Sequence, residues 1–263
     1  MITETTPLLR NPVKEKLSRG EPVYSMTVRL VRTVDIASIA RTAGFDSIYI
    51  DMEHSSFSLE SAGQICMACN SLGVTPLVRV PGLDASLIAR VMDSGAMGII
   101  VPGVQSADEA RALVRAIKHA PWGERSLAGA APQLHYQTLP AEQLVRELDQ
   151  ASMAVAMIES QAGLDSAEAI AAVDGIDMLL VGASDLSVEL GIAGEMDHPQ
   201  VHDAFLHVID SCRKNGKFVG IGGLGGRPDL IRKYQDLGAG FVSTGNDISM
   251  LSAAAAQKRK QFD

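Results

Sequence analysis

The sequence predicts an α/β fold, a (β/α)8 or TIM barrel forming a single domain over residues 1–263. Three observations point to it. Eight short β-branched runs alternate with eight longer amphipathic stretches from about residue 22 onward, the pattern of repeated strand–helix units around a parallel sheet. Glycine closes helices ahead of strands in AGFD (43–46), DSGAMG (93–98) and DLGAGF (236–241), where a left-handed residue ends a helix cheaply. A length of 263 residues with no break in composition suits one barrel.

The elements follow in chain order. Residues 1–20 form an N-terminal extension or helix outside the alternation. The first strand is 22–28, and its helix, 35–43, ends at Gly44. The second strand, 47–50, leads to a helix at 59–71 with Ser58 as N-cap. The third strand is 75–80 and its helix 85–94. The fourth strand is 98–101, and Ser106 caps the helix 107–119. From 122 to 140 the chain carries Pro, Gly, His and Tyr with weak periodicity, so a long loop is expected, functional or part of an interface. The fifth strand, 154–158, precedes a helix at 164–173. The sixth, 176–181, precedes 199–215, and the seventh, 218–221, precedes 228–237. The eighth strand is 240–243, and Asp247 caps a last helix at 247–258. Its end, LSAAAAQKRKQFD, is a helix former with a basic, solvated tail that packs on this barrel or on a neighbour.

Composition narrows the function. Lys and Arg number 23 against 31 Asp and Glu, a net charge of −8. An acidic chain without a basic block excludes a nucleic-acid binder working through phosphate contacts. At 46% hydrophobic and 21% charged the chain builds a full core, and with 4% aromatics that core is aliphatic. No apolar run approaches the ~20 residues of a membrane helix, and the start, MITETTPLLRNPVKEKL, has no apolar leader segment. No membrane association is expected. Three cysteines make a poor disulfide framework and fit a cytoplasmic location. Cys66 and Cys69 form a CxxC inside a helical pattern without a second pair, so two buried helix thiols are expected.

Barrel enzymes carry their reacting groups at the carboxyl ends of strands. There the sequence places Asp51, Glu53 and His54 after the second strand, Arg79 on the third, Glu159 on the fifth, Asp185 after the sixth, and the glycines of GIGGLGG (220–226) on the seventh. Glu159 and Asp185 lie one strand–helix–strand repeat apart. Neighbouring strands run about 4.8 Å apart, so both carboxylates can meet one hard divalent cation. Equally, Asp185 can cap a helix and Glu159 can be a rim charge. Arg79 cannot shed its charge, so it meets either a bound anion or a structural partner such as Asp51 or Glu53. His54 can handle protons near neutral pH, with Asp51 and Glu53 close enough to orient it. His135, in the long loop, is a further candidate. No lysine sits at a strand's carboxyl end, which argues against Schiff-base chemistry. The GxGxxG match follows a seventh strand, so it reads as tight backbone beside a ligand, or as a phosphate loop.

Together, IDMEHSSFS (50–58), LVRVPG (77–82), GIIVPGVQSADEAR (98–111), MIES (157–160), VGASDLS (181–187) and TGNDISML (244–251) resemble the HpcH/HpaI aldolase family, in order from about residue 20 to 256. The resemblance implies a metal-dependent (class II) barrel aldolase. It implies Glu159 and Asp185 as ligands of a divalent ion (Mg, Mn or Co) and Arg79 as the enolate-stabilising group. It implies His54, with Asp51 behind it, as the base, and backbone N–H groups from Gly182, Ala183 and Ser184 to Asp185 as the seat of the substrate carboxylate. It also implies a homo-oligomer, commonly a hexamer, with the C-terminal helix on a neighbouring subunit. The sequence departs from the family at Met157, where Gln is frequent, at Ala183, where Pro is frequent, and in RSLAGAAPQLHY (125–136). The expected activity is reversible aldol cleavage of 4-hydroxy-2-oxo acids. The donor is pyruvate or a pyruvate-like 2-oxo acid such as hydroxypyruvate, and an aldehyde is the acceptor. The alternatives are a related metal-dependent lyase acting on a CoA thioester, a metal-free barrel binding a phosphate ligand, and a non-catalytic binding protein on the same scaffold.

Overall fold

In the computed structural model, residues 7–262 are described, and the eight strands close into one parallel barrel in sequence order. The expected span 1–263 therefore includes residues 1–6 and 263, which lie outside the described residues. The strands are β1 (Val23–Val28), β2 (Ser47–Asp51), β3 (Thr75–Arg79), β4 (Gly98–Val101), β5 (Met153–Ile158), β6 (Met178–Gly182), β7 (Phe218–Gly222) and β8 (Phe241–Asn246). The helices are α1 (Pro12–Ser18), α2 (Asp35–Ala43), α3 (Leu59–Leu72), α4 (Ala85–Asp93), α5 (Ala107–Ile117), α6 (Ala141–Ala151), α7 (Gln161–Asp165), α8 (Ala167–Ala171), α9 (Ala183–Glu189), α10 (Pro199–Asn215), α11 (Pro228–Asp236) and α12 (Asp247–Arg259).

Side-chain alternation along each strand sorts the chain into two cores. One face packs outward against the helices: Ile48, Ile50, Val78, Ile99, Ala154, Val181 and Ile221 belong to that layer. The other face fills the barrel with Val23, Tyr49, Leu77, Ile100, Val155, Met157, Leu180 and Phe241. From the floor, α1 adds Val13 and Leu17 to this inner cluster. Ion pairs hold α1 against the amino ends of the strands, Lys14–Asp177 and Lys16–Asp46, each at 2.8 Å. The expected N-terminal helix is thus the plug of the barrel.

Every expected strand is present, with ends shifted by at most a few residues. Ser58 and Ser106 cap α3 and α5 by accepting from backbone N–H groups. Other expectations are corrected. The helix expected at 164–173 is two short helices, α7 and α8, meeting at Ser166. α6 and α9 were not among the expected helices. The long loop does not reach the carboxyl-end mouth. It contains a 3-10 turn, Pro132–Leu134, and Gln133 Nε2 donates to the carbonyls of Met92 and Ala96, just ahead of β4, so the loop lies at the amino-end face. His135 stands exposed there.

Asp247 is not the cap of α12. Asn246 is, and Ser249 reciprocates in a capping box. Asp247 instead turns inward, 6% exposed, and its carboxylate accepts from the backbone N–H groups of Arg29, Leu30 and Val31 at 2.8–2.9 Å. One buried carboxylate thereby ties the end of β8 to the segment after β1. Asp247→Ala removes the acceptor of three part-buried N–H groups and should cost about 1–3 kcal/mol of stability. Urea unfolding measures it, and a loss below ~0.5 kcal/mol would show that the contact is inessential.

Candidate active site

The inward face of each strand changes character toward the carboxyl end. On β2 the inward series runs Tyr49 to Asp51, on β3 Leu77 to Arg79, and on β5 Met157 to Glu159, just past the strand. Parallel register sets Asp51 beside Arg79. Tyr49, Arg79, Met157 and Glu159 rim and floor a cavity of about 260 Å³, whose other walls are Gly182, Ser184 and Asp185 from the β6 end, Gly222 and Gly223 from the β7 end, and Thr27, Arg29, His54 and Ser243.

Arg79 is the best-held side chain in the site. Its Nε donates to Asp51 Oδ1 at 3.0 Å and its Nη2 to Asp51 Oδ2 at 2.6 Å. Its Nη1 lies 2.9 Å from Glu53 Oε2 and 3.8 Å from the Met157 sulfur. The guanidinium sits over the Tyr49 ring, 5.5 Å from its centroid. Both readings of Arg79 therefore hold at once: it is paired with Asp51 and Glu53, and it faces the cavity. Met157 puts a thioether next to that guanidinium.

Asp51 is fully buried. Besides Arg79 it accepts from Arg29 Nε at 2.6 Å and from the backbone N–H groups of Glu53 and His54 at 3.1 and 3.2 Å. Burial pushes its carboxyl up, but the Arg79 hydrogen bonds and charge outweigh that and hold it below the ordinary carboxylate range. Its contact with His54 is to the main chain. The imidazole instead stands at the mouth, about half exposed, with Nε2 3.8 Å from Glu53 Oε2.

Glu159 has the opposite environment. Its Oε2 is buried without a hydrogen-bond partner. Burial first, then the charges of Asp185 and Glu53, push its carboxyl up to about 7, against a smaller opposing effect of Arg79 and the Gly103 backbone. Gly182 makes this approach possible, since a Cβ there would stand 2.6 Å from Glu159 Oε2. Asp185 occupies the first turn of α9, whose N-cap is Gly182, so it is not the cap residue. Gly182 and Ser184 face the cavity, whereas Ala183 turns its methyl into the outer core. Among the described residues no three His, Cys, Asp or Glu side chains are grouped to hold a metal ion. A carboxylate with one buried, unpartnered oxygen beside a second carboxylate does fit a hard cation whose other positions go to water and substrate oxygens.

Thr27, Arg29, Tyr49 and Ser243 line the cavity, yet the reading of strand ends passes over them. Arg29 had a signal, a charged residue one position past the first strand. Thr27 and Ser243 had none, being small hydroxyl residues inside strands. No lysine lines the cavity.

The raised carboxyl of Glu159 makes a pH-dependent stability prediction for the metal-free protein. A carboxyl whose folded value lies above its ordinary one near 4.5 costs stability as pH rises through that window, and the full cost is present above about 7. Glu159→Gln should therefore stabilise the chelated protein at pH 8 by about 2–3 kcal/mol and leave it nearly unchanged at pH 4.5. Equal thermal shifts at the two pH values would contradict this environment for Glu159.

Known proteins share both sequence and architecture with this chain. The profile of the HpcH/HpaI aldolase/citrate lyase family matches residues 30–254. A 4-hydroxy-4-methyl-2-oxoglutarate aldolase from Hapsidospora irregularis is 38% identical over 250 residues, 94% of this chain and 93% of that one. A hydroxypyruvate/pyruvate aldolase from Delftia acidovorans is 32% identical, over 93% of this chain and 90% of that one. The crystal structure of an HpcH/HpaI aldolase from Desulfitobacterium hafniense superposes with a TM-score of 0.87 at 29% identity, covering 95% of each chain. With its fold and nearly its whole length in common with these proteins, the chain belongs to the HpcH/HpaI aldolase/citrate lyase family.

Proposed function

We propose that this aldolase is divalent-metal-dependent and cleaves and forms 4-hydroxy-2-oxo acids, with pyruvate or a pyruvate-like 2-oxo acid such as hydroxypyruvate as donor and an aldehyde as acceptor. The carrying observation is the buried, unpartnered Oε2 of Glu159 beside Asp185, in a cavity that also holds Arg79. Glu159 and Asp185 would hold the metal ion (Mg, Mn or Co), which when bound polarises the donor carbonyl and acidifies the adjacent carbon.

The chain's own groups do the rest. Arg79, locked by Asp51, presents a fixed positive charge to the donor oxygen as negative charge develops on it. Asp51 acts through Arg79 and through the main chain of residues 53 and 54. His54, at the open side of the mouth, moves a proton to and from the acceptor oxygen. The donor carboxylate lies at Gly182, Ala183 and Ser184, where the first backbone N–H groups of α9 have no intrahelical partner. Small-molecule substrates suit a cavity of about 260 Å³.

The same reading makes the protein a single-domain, cytoplasmic homo-oligomer, a hexamer with α12 on a neighbouring subunit. Its support is α12 itself, which buries only Asp247 and leaves Ile248, Leu251 and, just beyond, Phe262 exposed. Among the described residues no helix is long and apolar enough to cross a membrane.

Chelation with EDTA should abolish pyruvate-dependent addition, and a divalent ion should restore it. Borohydride added with pyruvate should trap no covalent adduct. An adduct seen by mass spectrometry would replace the metal route with an imine route. Arg79→Lys should lower kcat about a hundredfold, because an ammonium cannot keep the Asp51 pair and also face the donor oxygen. Near-normal turnover would leave Arg79 a structural role only.

A further inference from the structure

We propose that Arg29 selects the second substrate, and that this substrate is a short carbonyl compound with a carboxylate bonded directly to its carbonyl carbon. The inference rests on the aldolase reading above and adds the acceptor class, which that reading leaves open.

Arg29 follows β1 and is held from two sides. Its backbone N–H donates to Asp247 at 2.9 Å, and its Nε donates to Asp51 Oδ2 at 2.6 Å. Among the described residues its two Nη groups meet no acceptor, although the side chain is 31% exposed and faces the cavity. Arg79 differs: Asp51 takes its Nε and Nη2, and its Nη1 lies 2.9 Å from Glu53 Oε2. A guanidinium cannot deprotonate, so a fork edge left open toward a polar cavity suits an anion. With Nε taken by Asp51, the free edge presents two parallel N–H groups, the bidentate match of a planar carboxylate.

Position decides which part of a substrate carries that carboxylate. Arg29 Nε and Arg79 Nη2 both contact Asp51 Oδ2 at 2.6 Å. The two guanidinium groups therefore stand within two hydrogen-bond lengths of each other. An anion on Arg29 sits close to the donor carbon that reacts in front of Arg79, so its carboxylate is next to the acceptor carbonyl and not at the end of a long chain. Small groups surround that position. Thr27 and Ser243 hydroxyls pair at 2.9 Å on that wall. Gly223 lets the β7 end pack against Ser184, since a Cβ on it would stand 2.8 Å from the Ser184 backbone nitrogen. A second chamber of about 550 Å³ shares Arg29, Thr27 and Ser243 with the first, and opens past Gly225 and Asn246. It supplies the approach for the acceptor.

The chemistry balances without a further reactant. Addition joins the deprotonated donor carbon to the acceptor's carbonyl carbon, opens the carbonyl π bond, and puts one proton on the resulting alkoxide. Cleavage runs the same steps backwards.

The test compares glyoxylate with propionaldehyde as acceptors for pyruvate, using the full chain with saturating Mn. In Arg29→Met the ratio of kcat/KM for glyoxylate to that for propionaldehyde should fall roughly ten- to a hundredfold relative to wild type, the loss of a charge-assisted contact. Arg29→Lys, which keeps charge without the fork, should fall in between. Calorimetry adds a readout without turnover. The wild type should bind 2-oxoglutarate, which lacks the cleavable 4-hydroxyl, more tightly than 2-oxopentanoate, and Arg29→Met should lose that preference. An unchanged ratio, or an equal loss with both acceptors, overturns the assignment of Arg29 while leaving the aldolase reading intact. A wild type that neither adds nor cleaves with any acceptor overturns both.

Discussion

The buried carboxylate of Asp51 is the contact on which the mouth of this barrel depends. Taking a carboxylate out of water costs several kcal/mol unless donors surround it. Asp51 collects two guanidinium groups and two backbone N–H groups, from β2, β3 and the segment after β1. Each of those donors is fixed in return. Arg79 loses its rotamer freedom, the 53–54 turn is set, and Arg29 is drawn over the cavity. Geometry that catalysis would have to organise during the reaction is thus organised during folding.

Three further carboxylates stand close by, Glu53, Glu159 and Asp185, and the cations do not balance them. Asp51 and Glu159 are both withdrawn from solvent, yet one carboxyl is held below its ordinary range and the other rises to about 7. Burial is the largest influence on each, so the sign of the neighbours decides the outcome. Asp51 faces guanidinium groups and is satisfied within the chain. Glu159 faces carboxylates and keeps one buried oxygen without a partner. Two neighbouring acids are thus pushed apart by their surroundings.

How much of this was legible in the sequence depends on which interactions are local. Strand runs, helix stops at Gly44 and caps at Ser58 and Ser106 are set by neighbours in the chain, and they were readable. Strand-end chemistry was readable where a charged residue broke an apolar run, as at Arg79 and Glu159. What escaped was set by distant partners. Asp247 looks like a cap because it precedes a helix, but three N–H groups from the far side of the chain claim it. The length of the Trp122–Pro140 stretch pointed to a functional loop or an interface, but not to its place: it emerges from a helix, not a strand, and so lies at the opposite end of the barrel from the cavity. Thr27 and Ser243 carry no pattern that separates them from ordinary strand residues.

The seam where β1 meets β8 explains why the cavity is lopsided. Pairing there slips between Ser25 and Thr27, so Thr27 falls opposite Asn246 instead of the next residue in register. Such an irregularity re-aims side chains at a barrel rim. Here it leaves small hydroxyl residues at the seam, beside the bare backbone of Gly222 and Gly223. The arc of β2, β3 and β5 carries Asp51, Arg79, Met157 and Glu159 and is filled by their contacts. A reaction that joins two molecules needs one crowded wall to hold the first rigidly and one open wall to admit the second. Asp51 and Asp247 keep those walls in register, since both grip the segment that carries Arg29, one by its guanidinium and the other by its backbone.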